Sequence, residues 1–344
     1  MRTLKFGLAA LALAVSASAG AQQEVTLKVS HFLPPGSAAQ QRFIQPWCDK
    51  IAKESNNRLK CQIFPSMQLG GTPPQLYDQV KDGVADVVWT LPGYTAGRFP
   101  AVEVFELPFT MTNAEATSRA LWEFVQANPA AKDGFKDVHP ILFHVHGPGY
   151  LHTRDKQVRT LGDLKGMKVR APTRLTNKLI ASVGATPVGM PVPQVPEAMS
   201  KGVIDGAVVP WEVVPAIKLQ ELVKFHSETD PSRPALYTSV FIFAMNKAKY
   251  DGLPADLKKV IDANSGPDAS AWVGKVFLEA DAAGRKLAVE RGNTIYMIPA
   301  SELANWEKAS AQVDDDWVKE MNGKGLDGAA LLKSAKDLIA KNSK

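Results

Sequence analysis

Short runs of alternating apolar and polar residues punctuate the chain, separated by stretches with helical spacing. Val25, Leu27 and Val29 alternate with polar neighbours, which predicts a strand over 25–30 leading into His31-Phe-Leu-Pro-Pro35. Phe43, Trp47 and Ile51 then recur every fourth residue behind Ser37, a good N-cap, and define a helix that Pro46 should kink. A strand over 59–64, a short helix over 74–81 stopped by Gly83, and a strand over 85–89 follow. The order βαβαβ predicts a mostly parallel sheet covered on both faces.

The stretch 161–211 repeats that build as strand, helix, strand, helix, strand. Met167, Val169 and Ala171 point to one face of its first strand, and Lys168 and Arg170 to the other. Pro172 cannot continue a ladder, so Arg170 falls near the C-terminal end of the strand, the edge that faces the ligand crevice in open α/β sheets. The two units share a detail. Nine residues, 75–83, end in glycine before Val84-Ala-Asp86, and nine more, 194–202, end in glycine before Val203-Ile-Asp205. Two lobes of one design produce such a copy.

Between and after these units come a helix over 114–126 and strands over 140–145 and 150–153. Strands over 222–227 and 237–245 follow, the latter long and apolar enough to run between lobes as a hinge. A helix over 254–263 precedes a longer one over 269–291, whose apolar stripe reads Trp272, Val276, Ala280, Ala283 and Leu287. A strand over 295–298 and a final helix from Asp327, with Leu331, Ala335, Leu338 and Ile339 at helical spacing, complete the pattern.

The 344 residues suffice for two domains with full cores. The first 21 read as a secretory signal: Arg2 and Lys5, an apolar run over 6–15, then Ala19-Gly-Ala21 as the cleavage site. That run is too short for a permanent membrane anchor. The expected mature protein is periplasmic and soluble. Without Arg2 and Lys5 it carries 38 basic against 35 acidic side chains, a net charge of +3. So mild a balance, with no basic cluster, points away from nucleic acid. An exported chain permits a bridge between Cys48 on a helix and Cys61 on the next strand, worth about 3 kcal/mol by chain entropy; two buried thiols are the alternative.

Catalytic signatures are missing: the sequence has no G-x-S-x-G, H-E-x-x-H, C-x-x-C or Walker loop. His144 and His146 would share a strand face, but a metal site needs a further ligand, and no metal or cofactor is expected. Asp314-Asp-Asp316 reads as a solvated helix face.

Several motifs together resemble the solute-binding proteins of tripartite ATP-independent periplasmic (TRAP) transporters, DctP-type. They are His31-Phe-Leu-Pro, Leu69-Gly-Gly71, Gly83-Val-Ala-Asp86, Leu107-Pro-Phe109, Asp163-Leu-Lys-Gly-Met-Lys-Val-Arg170, Gly184-Ala-Thr-Pro and Gly202-Val-Ile-Asp-Gly206. The resemblance implies an α/β, two-lobed periplasmic binding protein with mixed sheets, hinge strands and a long connecting helix. It assigns 22–145 to lobe I with later returning segments, 146–245 to lobe II, and 246–344 to helices packing on both. It also implies that Arg170 holds a ligand carboxylate and that a membrane permease receives the ligand, from a monomer or homodimer. Two departures bear on the ligand. The polar residues that many relatives carry after the Asp-Gly pair, an asparagine among them, are here Ala207-Val-Val209, and a second family arginine is replaced by Tyr150 or Leu151. The expected site is therefore Arg170 with Trp89, Tyr150, His152, Val209 and Trp211, binding an aromatic or 2-hydroxy or 2-oxo monocarboxylate. The alternatives are an ABC-type binding protein, or a hydrolase or lyase using His144, His146 or His152.

Overall fold

The parallel βαβ units seen in the sequence seed two separate sheets. The structure, a computed structural model, describes residues 24–343, so the expected signal segment lies outside the described residues. The first sheet is built from β1 (Val25–His31), β2 (Leu59–Phe64), β3 (Val87–Thr90), β4 (Val138–Val145) and, much later, β10 (Val240–Asn246). The second contains β5 (Gly149–Thr153), β6 (Lys168–Ala171), β7 (Thr186–Gly189), β8 (Gly206–Pro210), β9 (Phe225–Thr229) and β11 (Thr294–Ile298).

Their orders are β2-β1-β3-β10-β4 and β11-β9-β5-β8-β6-β7. In the first, β2, β1 and β3 are parallel and β10 is antiparallel to both its neighbours. In the second, β7, β6 and β8 are parallel and β5 is antiparallel to β8 and β9. Each lobe thus adds an antiparallel strand to a parallel trio: β10, returning from late in the chain, in the first, and β5, which directly precedes the trio, in the second. The sheets are mixed, and the long apolar strand after Tyr237 belongs to the first sheet; the crossing itself is made by the residues before it.

The shared glycine turn has one job in both lobes. Gly83 and Gly202 take left-handed backbone, φ 78° and 69°, which a side chain would strain. The aspartate that follows caps the neighbouring strand: Asp86 Oδ2 accepts the Lys28 N–H and Asp205 Oδ2 the Lys168 N–H, each at 2.8 Å. Pro46 does not sit in the middle of an α-helix. The turn before it, Ala39–Ile44, widens to a π-helix, and Pro46 sits in the first turn of the α-helix Gln45–Glu54, where its missing N–H costs least. Phe43, Trp47 and Ile51 are buried as the spacing requires. Cys48 and Cys61 are bonded, tying that helix to β2.

Three segments cross between lobes. Residues 146–148 join β4 to β5, and 230–239 join β9 to β10; the two meet where the Gly149 N–H donates to the Tyr237 carbonyl at 3.1 Å. The third is the connecting helix Pro267–Glu290. Its buried stripe is not the one that hydropathy suggests. Val273, Gly274, Phe277, Ala280, Gly284 and Ala288 face inward, whereas Trp272 and Leu287 are partly exposed. Backbone approach decides this: a Cβ on Gly274 would stand 2.4 Å from the Ala114 carbonyl oxygen, and one on Gly284 2.0 Å from that of Trp211. Small residues let the helix lie against both lobes, and larger apolar ones are pushed outward. The helix Ala300–Gly323 touches both lobes as well, while the last helix, Gly328–Asn342, packs on the first, where Lys341 pairs with Glu123. Trp306 enters the core of the second, and the Trp317 indole N–H donates to Pro100 in the first.

Candidate functional site

The C-terminal ends of the parallel strands from both lobes meet at one cavity. Phe32 and Leu33 follow β1, Trp89 lies near the end of β3 with Leu91 just beyond it, Arg170 lies near the end of β6, and Val209 and Pro210 close β8. The crossing segments add His146, Tyr237 and Ser239. The space they enclose is narrow, and the surface lining it is mostly apolar.

Arg170 is 2% exposed. Its Nε donates to the Met190 carbonyl at 3.0 Å and its Nη1 to that of Val208 at 3.1 Å, which fixes the plane of the guanidinium. Two of five N–H donors are spent there. The Tyr94 hydroxyl, also on the cavity wall, stands close to the guanidinium. Burial lowers the Arg170 pKa from its ordinary value, opposed by the Tyr94 and Tyr237 hydroxyls. Among the described residues no carboxylate pairs with Arg170 at ion-pair distance. A buried cation with donors to spare and no counter-ion favours an anionic guest.

The remaining wall is aromatic. Trp89 is fully buried, stacked on Phe241 at 4.8 Å and Phe32 at 4.9 Å, and its indole N–H donates to His144 Nε2 at 2.8 Å. The lobes also touch directly here: the Val192 N–H of the second donates to the Tyr94 hydroxyl of the first at 3.1 Å, and Arg174 pairs with Glu103.

Of the six residues expected at the ligand, Arg170, Trp89 and Val209 line this cavity, and Tyr150, His152 and Trp211 do not. The chain turns at Pro210 into a 3-10 turn, Trp211–Val213, which carries the Trp211 indole behind β8, where it donates to Glu228 Oε1 at 2.8 Å. His152 packs edge-on against that indole and is bound to His226 and to the Val209 carbonyl. Tyr150 stands opposite Val209 in the ladder, half-buried beside Trp211. This layer backs the wall. Sequence reasoning missed Phe32, Tyr94, Glu212, Tyr237, Ser239 and Phe241, and weighed His146 only as a base or metal ligand. Phe32 follows directly on a strand end, the signal that marked Trp89; the others come from turns and crossings whose course only packing sets.

His144 and His146 do not form a metal site. His144 is held between Trp89 and the Val145 carbonyl, and His146 Nδ1 contacts the Gly147 carbonyl at 2.5 Å. Among the described residues no three His, Cys, Asp or Glu side chains are grouped to hold an ion.

Buried imidazoles make stability pH-dependent. Burial lowers His31, His146 and His152 to about 4, His144 to about 3 and His226 to about 2. The unfolded chain protonates these rings near pH 6.5 and the folded one does not, so stability falls as pH drops from 6.5 through 4. Buried Glu106 and Asp281, raised to about 7, and Glu212, raised well above its ordinary value, act oppositely, regaining stability down to about pH 4. With His139 also lowered and Glu103 and Asp314 also raised by burial, six rings stand against five carboxyls, and below pH 4.5 the carboxyls no longer oppose. The melting temperature should fall between pH 6.5 and 4 and more steeply below 4.5; a profile flat or rising over that range contradicts the assignment.

Fold and cavity together define a two-lobed binding protein for a small acid. The profile of the family described as "Bacterial extracellular solute-binding protein, family 7" (DctP) matches residues 29–320. A TRAP solute-binding protein from Rhodoferax ferrireducens, solved with copurified benzoate, is 55% identical over 93% of this chain and 98% of its own, with a TM-score of 0.92. A marine-metagenome TRAP protein specific for aromatic acids, solved with 3-hydroxybenzoate, is 49% identical over 94% of this chain and 100% of its own, TM-score 0.91. A Bordetella bronchiseptica relative solved with both mandelates is 27% identical over 92% of this chain and 99% of its own, TM-score 0.84. The chain belongs to the DctP family of extracytoplasmic solute-binding proteins that serve TRAP transporters. Among the described residues no helix is long and apolar enough to cross a membrane.

Proposed function

We propose that this protein captures an aromatic monocarboxylate in the periplasm and delivers it to a TRAP membrane permease. The carrying observation is Arg170, a buried cation without a carboxylate partner, set in a cavity whose wall is mostly aromatic and aliphatic. The ligand carboxylate pairs with the free edge of the guanidinium, and its ring lies among Phe32, Trp89, Val209 and Phe241. Burial of a ring and its stacking favour such a guest. A dicarboxylate or sugar acid would leave polar groups unpaired against Val209, at about 1–3 kcal/mol each. Tyr150, His152 and Trp211 act from behind by holding β8 in place. The acids bound by the relatives from Rhodoferax and the marine metagenome support the same class.

Binding rather than turnover is the proposed activity: of the histidines weighed as bases, His144 and His152 are engaged away from the cavity, and His146, which lines it, has its Nδ1 on the Gly147 carbonyl. Thermal shift followed by calorimetry on benzoate, hydroxybenzoates, mandelate and benzoylformate, beside succinate, malate, sialic acid and galacturonate, tests this. Stabilisation is expected from the aromatic acids. Strong binding of a dicarboxylate or sugar acid with none of the aromatic acids would sink the proposal.

A further inference from the structure

Two polar side chains in the cavity wall have nothing to bond. Glu212 is 5% exposed and Ser239 1% exposed, both line the same space as Arg170, and neither Glu212 Oε2 nor Ser239 Oγ has a hydrogen-bond partner. Glu212 follows the β8 turn. Its backbone N–H donates to Asp281 Oδ1 on the connecting helix at 2.8 Å, which anchors the residue while its carboxyl stays unbonded. Ser239 closes the 230–239 crossing just before β10. A buried polar atom without a partner is costly, and natural structures leave few. In a binding cavity the missing partner is the guest.

Building on the aromatic-acid reading, we infer that Glu212, assisted by Ser239, is a specificity residue that recognises a hydroxyl on the ligand ring. The geometry requires a ligand that is anionic at one end and carries a neutral hydrogen-bonding group elsewhere on an otherwise apolar body. A phenol fits: its O–H donates to a carboxyl oxygen, and its oxygen accepts from a hydroxyl. Burial, reinforced by the Asp281 charge, raises the Glu212 carboxyl well above its ordinary value. A protonated carboxyl can both donate and accept, and it brings no second negative charge to oppose the ligand carboxylate. Unsubstituted benzoate would enter and pair with Arg170 but leave Glu212 and Ser239 unbonded.

Calorimetry on the wild-type protein with benzoate, 3-fluorobenzoate and the 2-, 3- and 4-hydroxybenzoates tests the inference. At least one hydroxy isomer should bind tenfold or more tighter than benzoate, and 3-fluorobenzoate, similar in outline but lacking the donor, should gain little. Glu212→Met should shrink that preference to threefold or less, and Glu212→Gln, which keeps a donor and an acceptor, should retain it. Ser239→Ala should reduce it in part and supplies a second variant if Glu212→Met does not fold. Equal affinity for benzoate and all three hydroxy isomers, or a preference unchanged in both Glu212→Met and Ser239→Ala, overturns the inference and leaves the aromatic-acid reading standing. Failure of every aromatic acid to bind overturns both.

Discussion

Replacing Arg170 with alanine should weaken binding of benzoate or a hydroxybenzoate at least a hundredfold while the protein stays folded. The guanidinium is oriented before the ligand arrives, because the Met190 and Val208 carbonyls hold Nε and Nη1. Orientation in advance lowers the entropy lost on binding. Two charge-assisted hydrogen bonds to the carboxylate are worth roughly 1.5–3 kcal/mol each, so their joint loss reaches a factor of about a hundred or more. Arg170→Lys keeps a positive charge but cannot reproduce the fork, and its affinity should fall between the two. Arg170→Met retains the apolar stem and separates lost charge from lost packing. Calorimetry with circular dichroism on each variant checks the ordering. An alanine variant that binds within threefold of wild type would remove Arg170 from the site.

The second large effect is on stability. Trp89→Ala should cost about 3–5 kcal/mol, as removal of a fully buried tryptophan usually does. The loss here has three sources: the stacked contacts with Phe32 and Phe241, the cavity left between β3 and β10, and His144 Nε2 deprived of its donor. Trp89→Phe keeps much of the ring contact but removes the indole N–H, so it should cost about 1–3 kcal/mol, the range for a buried acceptor left unpaired. Urea unfolding should show both as lower midpoints at constant slope. Because the indole also lines the cavity, the phenylalanine variant should lose most of the fluorescence change that an aromatic acid induces. A cost below about 1 kcal/mol for the alanine variant would contradict the packing described.

Much of the architecture was legible because it rests on local rules. Alternation and helix stops placed most strands within a few residues, and the glycine turns before Asp86 and Asp205 showed the lobe duplication that the sheet orders bear out. Pro172 located Arg170 at a strand end by covalent geometry alone. The connecting helix was legible as an element but not in its orientation. Hydropathy favoured Trp272 and Leu287 as its inner face, whereas contact with the Ala114 and Trp211 carbonyls required glycine there. Periodicity measures preference for an apolar surrounding and carries no information about how closely two backbones approach.

The amino-acid sequence by itself therefore determined the two α/β units, the aspartate that caps each, the strand-end arginine and the apolar stretch 207–209 facing it. All depend on neighbours a few residues away, or on motifs whose spacing is set by a single turn. Only the tertiary structure decided that β10 returns to the first sheet, that Trp211 turns behind β8, and that Glu212 and Ser239 reach the cavity without partners. Those outcomes depend on contacts between segments tens of residues apart. A tryptophan or glutamate after a strand has the same local preferences whichever way the chain then turns, and the turn here is set by the connecting helix, where Asp281 holds the Glu212 N–H and Gly284 admits the Trp211 carbonyl.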